Sequence, residues 1–232
     1  MKRDLKEGLK SAWPIWLGYL PIGLVFGVLS QKAGLRPAEI GFMSLIVFAG
    51  SSQFIAVSMI SASADALSIV ATTFVVNLRH FLMSSALSVY LGKRGLGWHA
   101  LFAYGVTDES FGVNLTRFKR GEGNWRQGLV VNHTANAVWI MSTILGGLGG
   151  EYIPAGAFGI DFALSAMFIS LLVFQLKGRL EVITGIIAGF AAVGLSLLIP
   201  GNTYIVIAAV LSATIGLFIK HRPQIMKEVF GR

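Results

Sequence analysis

The chain has 232 residues, 54% of them hydrophobic and only 13% charged, against about 25% charged in an average soluble domain. That balance excludes an ordinary soluble domain. The formal net charge is +8, but the basic residues sit between apolar runs and not along one extended face, which excludes a nucleic-acid binder. There is no cysteine, so a disulfide framework and a thiolate metal site are excluded as well.

No Asp, Glu, Lys or Arg occurs in 11–31, 40–64, 127–150 or 182–219. A helix needs roughly 20 mainly apolar residues to cross a bilayer, and each of these runs reaches that length. The fold class predicted is therefore all-α: a polytopic transmembrane helix bundle with seven or eight hydrophobic segments, some broken or re-entrant, in one integral membrane domain over 1–232. A short amphipathic lead-in spans 4–10. Hydrophobic segments follow near 13–31, 39–63, 66–91, 97–116, 126–148, 155–176, 180–199 and 203–220. The basic start (Lys2, Arg3, Lys6, Lys10) leads into a run longer than a signal-peptide core, so that run is read as a retained first span. Pro200-Gly201-Asn202 supplies a turn between the last two segments.

Lys and Arg accumulate on the cytoplasmic side of membrane proteins. The loop with Arg117, Lys119, Arg120 and Arg126 is cytoplasmic on that rule, and the next loop, with Glu151 and Asp161, lies outside. Lys177 and Arg179 return inside, and the tail with Lys220, Arg222, Lys227 and Arg232 ends there. Both termini are expected in the cytoplasm. Eight crossings nonetheless put Lys93 and Arg94 outside and Asp65 inside, against the rule. One way out is that one early segment, such as 97–116, enters and returns without crossing, so seven and eight crossings both remain open.

Leaving aside the segment ends and the outer loop with Asp161, three charged residues fall within the body of the segments: Arg79, Asp108 and Glu109. A charge at the bilayer centre costs about 2.5–3.5 kcal/mol on insertion scales, so such residues face protein or water. One reading is a structural ion pair. A second is functional: one Arg cannot neutralise two acids, and the leftover carboxylate can carry a proton. In a third, a tilted or re-entrant segment leaves both acids at the water interface. Uncharged polar residues gather in the same segments. Asn77 and His80 share a helix face, as do Asn132 and Asn136, with His133 beside them. Gln53 follows Gly50-Ser51-Ser52, which either lets two helices pack closely or marks a broken helix whose free backbone groups bind substrate or ion. Pro14 and Pro21 in 13–31 indicate either a hinge or break, or a simple kink. Segments 155–176, 180–199 and 203–220, with Gln175 the main polar exception, read as scaffold. Two His without a carboxylate at ligand spacing do not make a metal site, and no metal or other cofactor is expected.

Pro21-Ile-Gly-Leu-Val-Phe-Gly27, Phe48-Ala-Gly-Ser-Ser-Gln-Phe54, Asn77-Leu-Arg-His80 and Asp108-Glu109-Ser-Phe111 stand in an order and spacing that resemble the AzlC family, large subunits of bacterial branched-chain amino-acid exporters. The resemblance covers essentially the whole chain. It implies an inner-membrane carrier for valine, leucine, isoleucine or related amino acids, and a small hydrophobic membrane subunit of the AzlD type as partner.

The residues themselves suggest how such a carrier works. Gly50, Ser51, Ser52, Gln53, Asn77, Arg79, His80, Asn132 and Asn136 are the candidate substrate site, with Arg79 pairing the substrate carboxylate and Phe48 and Phe54 accepting its aliphatic group. Asp108 or Glu109 couples transport to protons or pairs with the substrate ammonium. The partners expected are the amino acid, the small subunit and membrane lipid, and no nucleic acid. The alternative is a passive channel for small solutes, although no filter-like loop or ring of like charge is present. An intramembrane enzyme is not expected, because Gly50-Ser51-Ser52-Gln53 lacks the Gly-x-Ser-x-Gly elbow.

Overall fold

The computed structural model describes residues 2–154, 178–199 and 203–230, with isolated positions between 159 and 176. The expectations for Asp161, Gln175, Lys177 and the Pro200 turn, and most of segment 155–176, lie outside the described residues. Among those described the regular elements are helices: α1 (Lys2–Lys32), α2 (Pro37–Ile46), α3 (Gly50–Ser61), α4 (Ala66–Ser88), α5 (Leu96–Tyr104), α6 (Asp108–Lys119), α7 (Trp125–Gly149), a 3-10 turn at Gly150–Tyr152, α8 (Arg179–Ser196) and α9 (Thr203–Phe230). Three of them, α1, α4 and α8, are long and apolar enough to cross a membrane. The chain divides into two compact units, one comprising Met1–Asp65 and Val76–Leu164, the other Ala66–Val75 and Ser165–Arg232.

The first unit is organised around α7. Gly8 of α1 faces Gln127 and Val130, Gly23 faces Ser142, and Gly27 faces Thr143 and Gly146. The register climbs together, so α1 and α7 run parallel. A methyl group on Gly27 would overlap the Thr143 carbonyl oxygen, and one on Gly146 would overlap the Leu24 carbonyl. These small residues bring two backbones into contact, the packing mode that replaces hydrophobic collapse inside lipid. Helix α2 runs the other way along α7: Ile40 lies at Gly147, Gly41 at Ile144, and Ser44 shares a 2.8 Å hydrogen bond with Thr143.

Helix α1 corrects one expectation and narrows another. The lead-in 4–10 is not a separate element but the first turns of one 31-residue helix, about 46 Å long at 1.5 Å per residue. That helix passes through both Pro14 and Pro21 without a break.

Segment 97–116 is likewise not one helix. Nine residues of α5 and twelve of α6 flank a break at 105–107; at about 14 and 18 Å neither reaches across a roughly 30 Å hydrocarbon core. The Arg94 guanidinium carbon sits 4.3 Å over the Trp125 ring, Trp98 meets Trp125 edge-on at 5.1 Å, and Tyr90 stacks on Phe118 at 5.4 Å. The start of α5, the end of α6 and the start of α7 therefore share one end of the unit. The chain leaves that end, turns beside Asn132 of α7, and comes back. Lys93 and Arg94 thus lie at the same end as the basic loop 117–126.

The surface is apolar, and the interior mixes apolar side chains with many polar ones. Phe74, Phe81 and Leu82 of α4 are largely exposed, while Gln53, Asn114, Asn132 and Thr143 are fully buried. An apolar surface over buried polar groups suits a solvent of acyl chains, where polar groups must find partners inside the protein. In the second unit α8 and α9 pack together, with Gly216 seated against Thr184, and α8 buries none of its residues.

Candidate functional site

Two helix breaks lie near the middle of α7. The first separates α2 from α3 at Val47, Phe48 and Ala49. Phe48 takes φ +37°, a left-handed conformation that costs a bulky residue about 1–3 kcal/mol. Its ring is held by Tyr19, edge-on at 6.4 Å, and by Tyr104 at 6.3 Å. Of the two readings of Gly50-Ser51-Ser52, the broken helix is the one observed, and those residues form the first turn of α3, whose leading N–H groups have no acceptor within the helix. The second break precedes α6, where Thr107 caps the helix: its hydroxyl accepts from the Ser110 N–H at 3.3 Å and the Ser110 hydroxyl accepts from the Thr107 N–H at 2.9 Å. Asp108 and Glu109 occupy the first turn of α6, where a helix dipole favours negative charge.

Arg79 of α4 joins the two breaks. One guanidinium nitrogen pairs with the Asp108 carboxylate at 2.7 Å, and the other donates to the Ser51 hydroxyl. The pair is neither sealed nor bare, with the Arg79 side chain 28% exposed and that of Asp108 36%. Glu109 has no cationic partner among the described residues. Its carboxylate accepts from the Tyr19 hydroxyl at 2.7 Å, and that hydroxyl also lies 2.7 Å from the Thr107 hydroxyl. Arg79 thus neutralises Asp108, and Glu109 is the leftover acid, open on one side and tethered to α1 on the other.

Several buried polar atoms nearby have no protein partner: Asn77 Oδ1, Arg79 Nε, His80 Nε2, His133 Nε2 and Asn136 Nδ2. His80 faces the Val106 backbone beside the second break. The His133 ring stacks on Tyr104 at 6.1 Å, and the Tyr104 hydroxyl donates to the Leu45 carbonyl at the end of α2. Buried polar groups are normally satisfied, so unsatisfied donors and acceptors around two helix breaks are what a polar ligand would complete.

The remaining sequence-derived residues have partners within the fold. Gln53 is fully buried; its carboxamide oxygen accepts from Trp139 Nε1 at 3.0 Å and from the Ala49 N–H at 3.2 Å, and its nitrogen donates to Ser44 at 3.2 Å. It supports the break from behind. Ser52 donates to the Ala49 carbonyl at 3.0 Å. Asn132 donates to the Phe102 carbonyl at 3.0 Å and accepts from Asn114 at 2.8 Å, holding the end of α5. Phe48 and Phe54 are each 2% exposed and packed among aromatic rings, so neither is open to an aliphatic ligand as expected. Sequence reasoning missed Tyr19, Trp139, Tyr104 and Thr107. Thr107 was detectable as a helix cap three residues before Ser110; the three aromatics had no local signal.

The fold and this arrangement define a helical membrane protein with a polar, partly open centre inside an apolar shell. Residues 14–153 match the AzlC protein family. The chain belongs to the AzlC family. It is 29% identical over 198 residues to the inner membrane protein YgaZ of Escherichia coli, covering 82% of this chain and 81% of that one. It is 32% identical over 207 residues to an uncharacterized membrane protein of Archaeoglobus fulgidus, with 88% and 90% covered. It is also 29% identical over 225 residues to the branched-chain amino acid transport protein AzlC of Bacillus subtilis, with 93% and 85% covered. No solved structure matches the chain.

Proposed function

We propose that this protein is a secondary active transporter that exports branched-chain or related hydrophobic amino acids across the bacterial inner membrane, coupled to protons and working with a small hydrophobic subunit of the AzlD type. The observation that carries the reading is Arg79, held between Ser51 at the start of α3 and Asp108 at the start of α6. The Bacillus subtilis relative's name as a branched-chain amino acid transport protein supports the substrate class.

The substrate is a zwitterion. Its carboxylate takes the place of Asp108 on the Arg79 fork, with the Ser51 hydroxyl and the first N–H groups of α3 completing the cradle. Its ammonium takes the freed Asp108. One carboxylate and one ammonium are added between one cation and one anion, so the charge of the site does not change and no ion is left unpaired in low dielectric. The orphan atoms of Asn77, His80 and Asn136 line the approach. Glu109, the acid without a cation, carries the coupling proton. Gln53, Ser52 and Asn132 hold the two breaks in shape.

The test is uptake into inside-out vesicles under an imposed proton gradient. Asp108→Asn should abolish saturable transport. Glu109→Gln should keep leucine counterflow and lose gradient-driven accumulation. Gradient-driven export at the wild-type rate in both variants would remove the coupling role, and flux without saturation or counterflow would identify a channel.

A further inference from the structure

A second recess lies away from the Arg79 centre, between the first half of α1 and the second half of α6. It is a groove of about 390 Å³ whose rim carries Lys10, Arg117 and Arg120, together with Glu122. Along both helices the lining changes with depth. Lys10 gives way one turn later to Pro14 on α1, and Arg120 and Arg117 give way to Val113 and Gly112 on α6. The rim is mainly cationic, Ser11 and Thr116 lie below it, and the floor at Pro14, Gly112 and Val113 is apolar. A Cβ placed at Gly112 meets no atom within 4 Å, so the missing side chain leaves the floor open.

The groove sits at the level of the bilayer interface. Gly8 of α1 faces the start of α7, where the Trp98–Trp125 pair and Arg94 gather, and Trp13 beside the groove is half-exposed. Tryptophan and arginine at one height mark the headgroup region. Arg117 is fixed in place, donating to the Glu7 carbonyl at 3.3 Å, to the Glu122 carbonyl at 3.1 Å and to Gln127 at 2.9 Å; these bonds leave two of its five N–H donors unspent. Lys10 and Arg120 are exposed and have no carboxylate partner among the described residues. With Glu122 counted, the rim keeps two net positive charges.

We propose that this groove is a binding site for one anionic phospholipid, with the phosphate between Lys10, Arg117 and Arg120 and the upper part of an acyl chain over Gly112 and Val113. Free phosphate offers the same anionic chemistry, but it uses only the rim and leaves the apolar floor empty. The lipid uses both. Each basic residue near a headgroup contributes about a fivefold preference for an acidic lipid, so removing Lys10 and Arg120 together is expected to weaken binding about 25-fold. The site bridges the two helices whose deeper parts carry Tyr19 and Glu109, but it contains no residue of the transport centre.

The experiment is native mass spectrometry with thermal-shift measurement on the full chain in neutral detergent, titrated with dioleoyl phosphatidylglycerol, dioleoyl phosphatidylcholine or inorganic phosphate. The expected result is one phosphatidylglycerol bound at least tenfold more tightly than phosphatidylcholine, with no stabilisation by millimolar phosphate. The double variant Lys10→Gln/Arg120→Gln should lose that preference. Gly112→Leu, which fills the floor and leaves every charge in place, should weaken phosphatidylglycerol at least fivefold. Equal binding of the two lipids, or wild-type affinity in both variants, would overturn the site. Stabilisation by phosphate equal to that by lipid, with Gly112→Leu neutral, would overturn the lipid as occupant.

Discussion

The two units solve the problem of living in lipid in different ways. The unit around α7 buries polar side chains and lets backbones touch through glycine: Gly27 against Thr143, Gly146 against Leu24, Gln53 against Trp139 and Asn132 against Phe102. In the unit of α8 and α9, α8 buries nothing and its Phe190 is 78% exposed. No Asp, Glu, Lys or Arg interrupts 182–219. Buried polar groups in a membrane are costly unless each finds a partner. The first unit concentrates them and leaves several unsatisfied around two helix breaks, which is where the proposed transport centre lies.

That contrast can be broken by substitution. The largest effect is expected at the touching backbones. Gly27→Leu drives a branched side chain into the Thr143 carbonyl and should prevent recovery of monodisperse protein, whereas Gly189→Leu on α8, where a Cβ meets nothing within 4 Å, should purify like wild type. Size-exclusion profiles in one detergent compare them, and equal recovery would mean α1 and α7 do not pack as described. A smaller effect is expected at the buried carboxamide. Gln53→Met strands the Trp139 and Ala49 donors at about 1–3 kcal/mol each, and should lower the thermal midpoint by several degrees. Ser212→Ala on α9 removes a buried hydroxyl that has no partner and should leave the midpoint unchanged or raise it; the reverse order would remove the distinction between polar core and apolar frame. The smallest effect is expected at Tyr19→Phe, which deletes one hydrogen bond to Glu109. A bond to a charged group is worth about 1.5–3 kcal/mol, so gradient-driven transport should fall by about 10-fold or more at unchanged expression, and an unaltered rate would remove Tyr19 from the coupling network.

The parts of this arrangement differ in how far they could be read from the chain itself. Charge-free runs announced the helices, because lipid tolerates few ionised groups. The imbalance of Arg79 against Asp108 and Glu109 already required one acid to be left over; which one it is depends on geometry, since neighbours in sequence point to different sides of a helix. The conflict over Lys93 and Arg94 pointed to an early segment such as 97–116 turning back, and the Arg94–Trp125 contact puts the start of that segment beside the start of α7. Pro14 and Pro21 were ambiguous because a proline shows that one hydrogen bond is missing but not whether the helix bends or breaks. Gln53 and Asn132 looked like ligands for the substrate because a polar residue in an apolar run reads the same whether it serves a ligand or the backbone. The distances to Trp139, Ala49 and Phe102 show both of them bonded within the fold. Tyr19 reaches Glu109 across 90 positions of chain, and no local periodicity reports such a contact.

The central claim is that Arg79 exchanges Asp108 for the carboxylate of an amino acid. Leucine counterflow in proteoliposomes, at equal amounts of reconstituted wild type, Arg79→Lys and Arg79→Gln, tests it most directly. Lysine keeps the charge but not the two-pronged fork that reaches Ser51 and Asp108 together, so the account predicts partial counterflow for Arg79→Lys and at least a tenfold loss for Arg79→Gln. Undiminished counterflow in Arg79→Gln would contradict it.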